Sequence, residues 1–233
     1  MSEQTHHSFC RFCEALCGVI VTTDGQQVLE VRGDPEDPLS NGYTCPKGRA
    51  LGKWHHDERR LDVPQLLRGD QLEPVDWPEL LGDLSTRLQE IIDRDGRDAV
   101  GFYMATGASF DANGRRTLER FRRALGTKSM YTAASIDTPA KPLVSELMSG
   151  HPGLFPALDR DEAKLFLLLG VNPVVSHGHM NAFPDPVTTL REMASRAEVW
   201  VVDPRRCETA RLATRHLAIR PGTDYALLAY LIR

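Results

Sequence analysis

The stretch FCRFCEALC, residues 9–17, sets three thiols, Cys10, Cys13 and Cys17, within eight positions. A fourth, Cys45, stands in GYTCPKGRA, and of the five cysteines only Cys207 lies outside this group. The spacing is C-x2-C-x3-C-x27-C, followed directly by Pro46-Lys47-Gly48. Four thiolates are a ligand set for an iron–sulfur cluster or for a structural zinc. Zinc sites usually present two C-x2-C knuckles, each gripping one edge of a tetrahedron. Here three sulfurs share one short loop and the last is remote. A cubane keeps its iron atoms at separate corners, so one loop can reach three of them while the fourth ligand comes from elsewhere. The spacing therefore favours a [4Fe–4S] cluster held by Cys10, Cys13, Cys17 and Cys45, with zinc as the alternative.

The elements that must position these sulfurs are legible around them. After Cys17, GVIVTTDGQQVLEVRGDP holds two β-rich runs, about 18–23 and 27–32, around an Asp24-Gly25 turn, which is a hairpin signature. Turn-formers then crowd GDPEDPLSNGYTCPKGRA, so the ribbon runs out and returns Cys45 toward the first three thiols. The following LGKWHHDERRLDVPQLL reads as an exit segment with a short helix, ending near Pro64. From about residue 74 the texture becomes alternating helix and strand. Helical spacing marks 77–95, 113–126, a segment after the prolines of SIDTPAKPLVSELMSG, and DPVTTLREMASRA with Pro186 in its first turn. Buried strands are predicted in AVGFYMATG, AKLFLLLGVNP and AEVWVVDPRR, a short one in HLAIRPGTD, and a last helix in DYALLAYLIR. The fold class is α/β: a small N-terminal β-rich iron–sulfur domain over 1–62, then an incomplete layered α/β region over 63–233.

Composition narrows the function. The net charge of −4, from 28 basic and 32 acidic side chains, gives no electrostatic footprint for nucleic acid. No apolar run approaches the ~20 residues of a membrane span, and MSEQTHHSFC carries neither a signal core nor a twin arginine. A cytoplasmic location follows as the expectation, and in a reducing compartment clustered cysteines read as metal ligands rather than disulfides. The chain stops at Arg233 inside an apolar helical pattern, which suggests the N-terminal part of something longer.

Taken with its neighbours, CRFCEALCGVIV…GDPEDPLSNGYTCPKGRA resembles the N-terminal iron–sulfur domain of the molybdenum/tungsten bis-pterin oxidoreductases, which include formate dehydrogenases, nitrate reductases and dimethyl sulfoxide reductase. LLLGVNPVVSHGH is similar to the family's strand–G-x-N-P turn. VVDPRRCETARLATRHLAIRPGTDYALL is similar to its pterin-dinucleotide segment. The resemblance implies a [4Fe–4S] cluster, a bis-molybdopterin guanine dinucleotide cofactor carrying molybdenum or tungsten, a small-molecule substrate, and a redox partner protein or further redox domain.

Residue by residue, the resemblance puts Lys47 between cluster and pterin as an electron-relay cation. It makes Gly170, Asn172, Pro173, His177, Asp203, Arg205, Thr209 and Asp224 candidate cofactor contacts. Each has a plainer reading: Gly170–Pro173 as a strand-end turn, Asp224 as a helix cap, and His177 with His179 as solvated loop residues or a metal pair. His6, His7, His55 and His56 read as exposed, and Cys207 as a free thiol. The departure from the family lies in SIDTPAKPL. Counting along it, Lys141 takes the place of an arginine and Leu143 that of the metal-ligating residue, and leucine cannot coordinate a metal. Either the metal binds only pterin dithiolenes plus oxygen or sulfur, or the count is off by a few residues and Asp137 or Ser145 serves. The rivals are a non-catalytic electron-transfer subunit of the same fold and a four-cysteine zinc module.

Overall fold

The computed structural model describes residues 2–179 and 181–233. The chain divides into two compact units, Met1–Asp57 with Phe155–Arg233, and Glu58–Leu154. The first unit opens with an antiparallel sheet of β1 (Gln4–Phe9), β2 (Gly18–Thr23) and β3 (Val28–Gly33), in that order. Asp24 makes the β2–β3 turn by accepting from the amides of Gln26 and Gln27 at 3.0 and 2.7 Å. Strand β1 was not expected from the sequence. It pairs His7 with Ile20 and ends at Phe9, so the cysteine loop becomes the β1–β2 connection. Two short helices follow Cys45, α1 (Pro46–Arg49) and α2 (Leu51–His55).

In the second unit, β4 (Gln65–Arg68) and β5 (Gln71–Pro74) form a hairpin around Gly69, whose φ is +63°. The exit segment is thus longer and more ordered than its prolines suggested. Helix α3 (Trp77–Asp95) starts at Asp76, which accepts from the Glu79 amide, and stops at Gly96. Strand β6 (Phe102–Met104) is parallel to β7 (Met130–Thr132), with α4 (Ala112–Leu125) between them in the chain. Then come α5 (Ala134–Asp137) and α6 (Ala140–Ser149), which contains Pro142 in its first turn, where the missing N–H costs nothing.

The chain re-enters the first unit with β8 (Leu165–Leu169), α7 (Pro173–Ser176), α8 (Pro186–Arg196), β9 (Glu198–Val202), β10 (Arg215–Leu217) and α9 (Asp224–Ile232). The three strands are parallel, in the order β10-β9-β8. The layered region expected after residue 62 is thus present as two separate parallel sheets, one in each unit. Helix α8 lays Leu190 and Met193 on the sheet residues Phe166, Leu168, Val199 and Val201, forming the main core. A smaller core holds Cys10, Ala15, Cys17, Val19 and Val31, with Ala182 packed against it.

The two cores set the mechanical expectations. Leu190 is fully buried and Leu143 on α6 is 61% exposed. Leu190→Ala should destabilise its unit by about 2–5 kcal/mol, while Leu143→Ala should stay within about 0.5 kcal/mol of the unsubstituted chain. Chemical denaturation followed by far-ultraviolet circular dichroism measures both.

Candidate metal centre

The cysteine loop closes on itself. Cys10 donates its amide to the Cys17 carbonyl at 2.8 Å, and Leu16 donates to Cys13 at 3.2 Å. Leu16 takes a left-handed φ of +45°, a conformation a branched residue adopts only when its surroundings enforce it. Cys10 and Cys17 are buried, Cys13 and Cys45 half-buried, and none is in a disulfide. Burial pushes the Cys17 thiol up to about 11, with Cys13, Cys10 and Cys45 adding in the same direction. Burial is also the main cause of the upward shift of Cys10, which again feels Cys13 and Cys45. The four sulfurs therefore surround one region. They are also spread apart: among the described residues, no three of them lie mutually within 4.8 Å. A tetrahedral zinc with Zn–S bonds of about 2.3 Å would hold its sulfurs about 3.8 Å apart. The thiols, once deprotonated, are the donors a cubane requires.

Cys45 reaches this region because the loop after β3 is tied down by buried polar groups. A Cβ on Gly33 would stand 1.9 Å from the Gly42 carbonyl oxygen, and one on Gly18 would stand 2.4 Å from Asp37 Cβ. Only glycine admits those approaches. Asp34 accepts from His7 Nδ1 at 2.6 Å and from the Glu36 amide at 2.9 Å. Asp37 accepts from the Ser40 hydroxyl at 2.6 Å and the Ser40 amide at 2.7 Å, and Ser40 Oγ in turn accepts from Gly18 N at 3.1 Å. His7, Asp34 and Glu36 also gather three donor atoms within 4.8 Å. The hydrogen bonds of Asp34 account for that cluster without a metal.

Two residues before Cys45, the loop meets the end of α7, the short helix that follows β8 in the same unit. Tyr43 Oη and His177 Nε2 are 2.9 Å apart. His177 is buried, holds φ at +60°, and leaves Nδ1 buried with no hydrogen-bond partner among the described residues. Burial first, and then the positive charge of Lys47, lower its pKa. Lys47 also acts on Cys10, where its charge favours the thiolate. One exposed ammonium therefore bears on both a cluster thiol and the histidine. His56, expected to be exposed, is half-buried, and its Nε2 accepts from the Val28 amide at 2.9 Å.

The strand-end loops supply the remaining predicted residues. Gly170 takes φ +59°, with open space where a side chain would stand, and donates to the Val202 carbonyl at 2.9 Å. Pro173 is buried at the start of α7. Asn172 is committed internally: its Oδ1 accepts from the Thr209 hydroxyl at 2.6 Å and the Thr209 amide at 3.2 Å, and its Nδ2 donates to Glu208 at 2.7 Å. Thr209 is fully buried, so its hydroxyl holds Asn172 rather than facing a cleft. Asp203 accepts from the Arg205 amide at 2.7 Å, and Arg205 pairs with Glu208 at 3.3 Å. Asp224 lies in the first turn of α9, with Thr223 at the cap, so its carboxylate faces the positive end of the helix. Cys207 is a free thiol in the main core. Glu208 went unnoticed in the sequence, although its place three residues after Arg205 is ion-pair spacing. Leu143 belongs to the other unit. Nearby, the Ser145 hydroxyl shares its one proton between the carbonyls of His151 and Leu154, at 3.0 and 2.5 Å.

Four clustered free thiols, an adjacent lysine and a pair of strand-end loops thus lie in one unit. Comparison with known proteins identifies the family. Residues 3–56 match the molybdopterin oxidoreductase Fe4S4 domain, and residues 60–232 match the molybdopterin oxidoreductase family. The chain belongs to the molybdopterin oxidoreductases, with a [4Fe–4S] cluster and a molybdenum–molybdopterin cofactor. It is 32% identical over 236 residues to a nitrate reductase of Klebsiella oxytoca, covering 96% of this chain and 25% of that protein. A periplasmic nitrate reductase of Desulfovibrio desulfuricans is 29% identical over 232 residues, covering 94% and 29%. Formate dehydrogenase H of Escherichia coli is 28% identical over 233 residues, covering 94% and 31%. The chain thus spans less than a third of the curated relatives it matches. Acetylene hydratase from Pelobacter acetylenicus shares the fold, with a TM-score of 0.81 at 21% identity over 97% of this chain and 31% of that one. Among the described residues, no helix is long and apolar enough to cross a membrane.

Glu208 gives the strand-end loops a titration signature. Hydrogen bonds, from its own backbone first and then from Asn172 and Arg205, lower its pKa from the usual 4.5 to about 2. A folded-state value below the unfolded one means these contacts are intact above about pH 4.5 and are lost as acid approaches pH 2. Carboxyl-carbon NMR should place the Glu208 midpoint near 2, and Asn172→Ala should move it upward toward 4.5.

Proposed function

We propose that the chain is the cluster-bearing and cofactor-cradling part of a molybdopterin-dependent oxidoreductase acting on a small substrate, with residues 1–62 as the relay domain and 63–233 as part of the cradle. When bound, the molybdenum- or tungsten-pterin group supplies two-electron chemistry and the cluster supplies single-electron transfer. The Tyr43–His177 bond carries this reading, because it joins the loop that delivers the fourth cysteine to the G-x-N-P turn. Cys10, Cys13, Cys17 and Cys45 would hold the cluster. Lys47 would provide a cation on the route between the two centres, as its effect on both Cys10 and His177 supports.

In the cradle, Gly170 would let a bis-guanine dinucleotide cofactor approach the backbone closely, and Pro173 would fix the turn. His177 would offer its unpartnered Nδ1 to the cofactor. Asp203 and Arg205 would present a carboxylate and a guanidinium at the end of β9, with Asp224 further along the same segment. Thr209 would act through Asn172, holding it in place. Leu143 cannot coordinate, so we favour a molybdenum held by the pterin dithiolenes with oxygen or sulfur; the Asp137 carboxylate, which accepts from the Thr138 hydroxyl at 3.2 Å, is the alternative donor in this segment. A redox partner protein or further redox domain would receive the electrons.

Anaerobic loading with iron and sulfide tests the core of the proposal. The chain should take up about four irons, absorb broadly in the visible, bleach with dithionite and show the paramagnetic resonance of a reduced cubane. Cys45→Ala should abolish that signal or convert it to a three-iron species. A colourless protein that binds one zinc through the same cysteines would refute it.

A further inference from the structure

We infer that Thr44 donates a hydrogen bond from its hydroxyl to a cluster sulfur and thereby raises the cluster's reduction potential. The inference rests on the cluster reading above but goes beyond it, because Thr44 is not a ligand and no sequence pattern marks it. Thr44 is 4% exposed, and its Oγ1 is buried with no hydrogen-bond partner. Burying a hydroxyl without a partner costs free energy, and valine would fill the same volume without that cost. The neighbouring donor is spent elsewhere: Arg49 Nη1 donates to the Thr44 carbonyl at 2.5 Å, not to the hydroxyl.

The position of the hydroxyl identifies its missing acceptor. A Cβ on Gly48 would stand 2.1 Å from Thr44 Oγ1 and 3.5 Å from Cys10 Sγ, so hydroxyl and ligand sulfur flank the same point above Gly48. Gly48 is itself buried, which leaves that space clear of any side chain. Cys10 Sγ is present and does not bond the hydroxyl, so the acceptor that a loaded site would add is an inorganic sulfide of the cluster. A donor to such a sulfur stabilises the reduced, more negative cluster more than the oxidised one, so it favours reduction.

The test compares Thr44→Val with the unsubstituted chain after anaerobic loading, by potentiometric titration of the reduced-cluster resonance. Iron content should be equal, and reduction of the valine variant should be about tenfold less favourable, about 59 mV lower for one electron. Thr44→Ser, which keeps the hydroxyl, should titrate close to the unsubstituted chain. An unmoved potential in Thr44→Val overturns the inference, and so does a Thr44→Ser variant that shifts as far as valine. If Thr44→Val fails to load, Thr44→Ala takes its place under the same criterion. The unsubstituted chain gives a further reading: brief exchange into D2O should add a strongly coupled deuteron to the pulsed resonance spectrum, and its absence overturns the assignment. A chain that holds zinc but no iron ends the cluster reading and this inference together. A normal cluster with an unmoved potential ends this inference alone.

Discussion

The constraint on which the first unit depends is the close approach of two backbones, Gly33 at the end of β3 and the Gly42 carbonyl. Any side chain at Gly33 would push the loop away and carry Cys45 out of reach of Cys10, Cys13 and Cys17. The approach is held by carboxylates rather than by apolar packing. Hydrogen bonds keep the pKa values of Asp34 and Asp37 low, chiefly from His7 in the first case and from Ser40 in the second. Both groups therefore tie the loop above the ordinary carboxylate range and release it as acid protonates them. A satisfied polar network of this kind specifies one geometry more sharply than a few apolar contacts would, and a metal site needs such precision.

The strand-end loops use their polar side chains in the same way. Asn172, Thr209 and Glu208 are spent on one another across the ends of β8 and β9. What they leave open is backbone, at the left-handed Gly170, together with the exposed Arg205. Parallel sheets present ligands at the carboxyl ends of their strands. A residue can therefore belong to a binding motif by shaping the turn that meets the ligand, without touching it.

Much of this was legible in the residues. The cysteine spacing, the Asp24-Gly25 hairpin, the helix of 77–95 with its Gly96 stop and the buried strands at 165–169 and 198–202 each carry a local signal. What escaped has physical reasons. Strand β1, QTHHSF, is exposed and polar along its length and is recruited by pairing with β2, so neither periodicity nor apolar burial announces it. The β4–β5 hairpin turns on Gly69-Asp70 but is flanked by prolines that read as exit segment. Separate parallel sheets in place of one layered region are a tertiary outcome that strand order does not encode. The internal roles of Thr209 and Asn172 depend on contacts across more than thirty residues of chain, which no local pattern contains.

His177 joins the loop of the fourth cysteine to the turn after β8 through Tyr43. Its pKa is lowered by burial and by Lys47, so the ring is neutral near pH 7 and carries one donor and one acceptor. Tyr43 has one proton to give. If it gives that proton to Nε2, the ring proton must sit on Nδ1, a buried N–H with no well-formed hydrogen bond among the described residues. If Nε2 keeps its proton and donates to Tyr43, Nδ1 is instead a buried lone pair in the same position. In either tautomer the histidine sits between the loop of the fourth cysteine and the turn after β8. Lys47, which adds to burial in lowering the pKa of the histidine, also acts on Cys10, where it favours the thiolate against the larger upward push of burial.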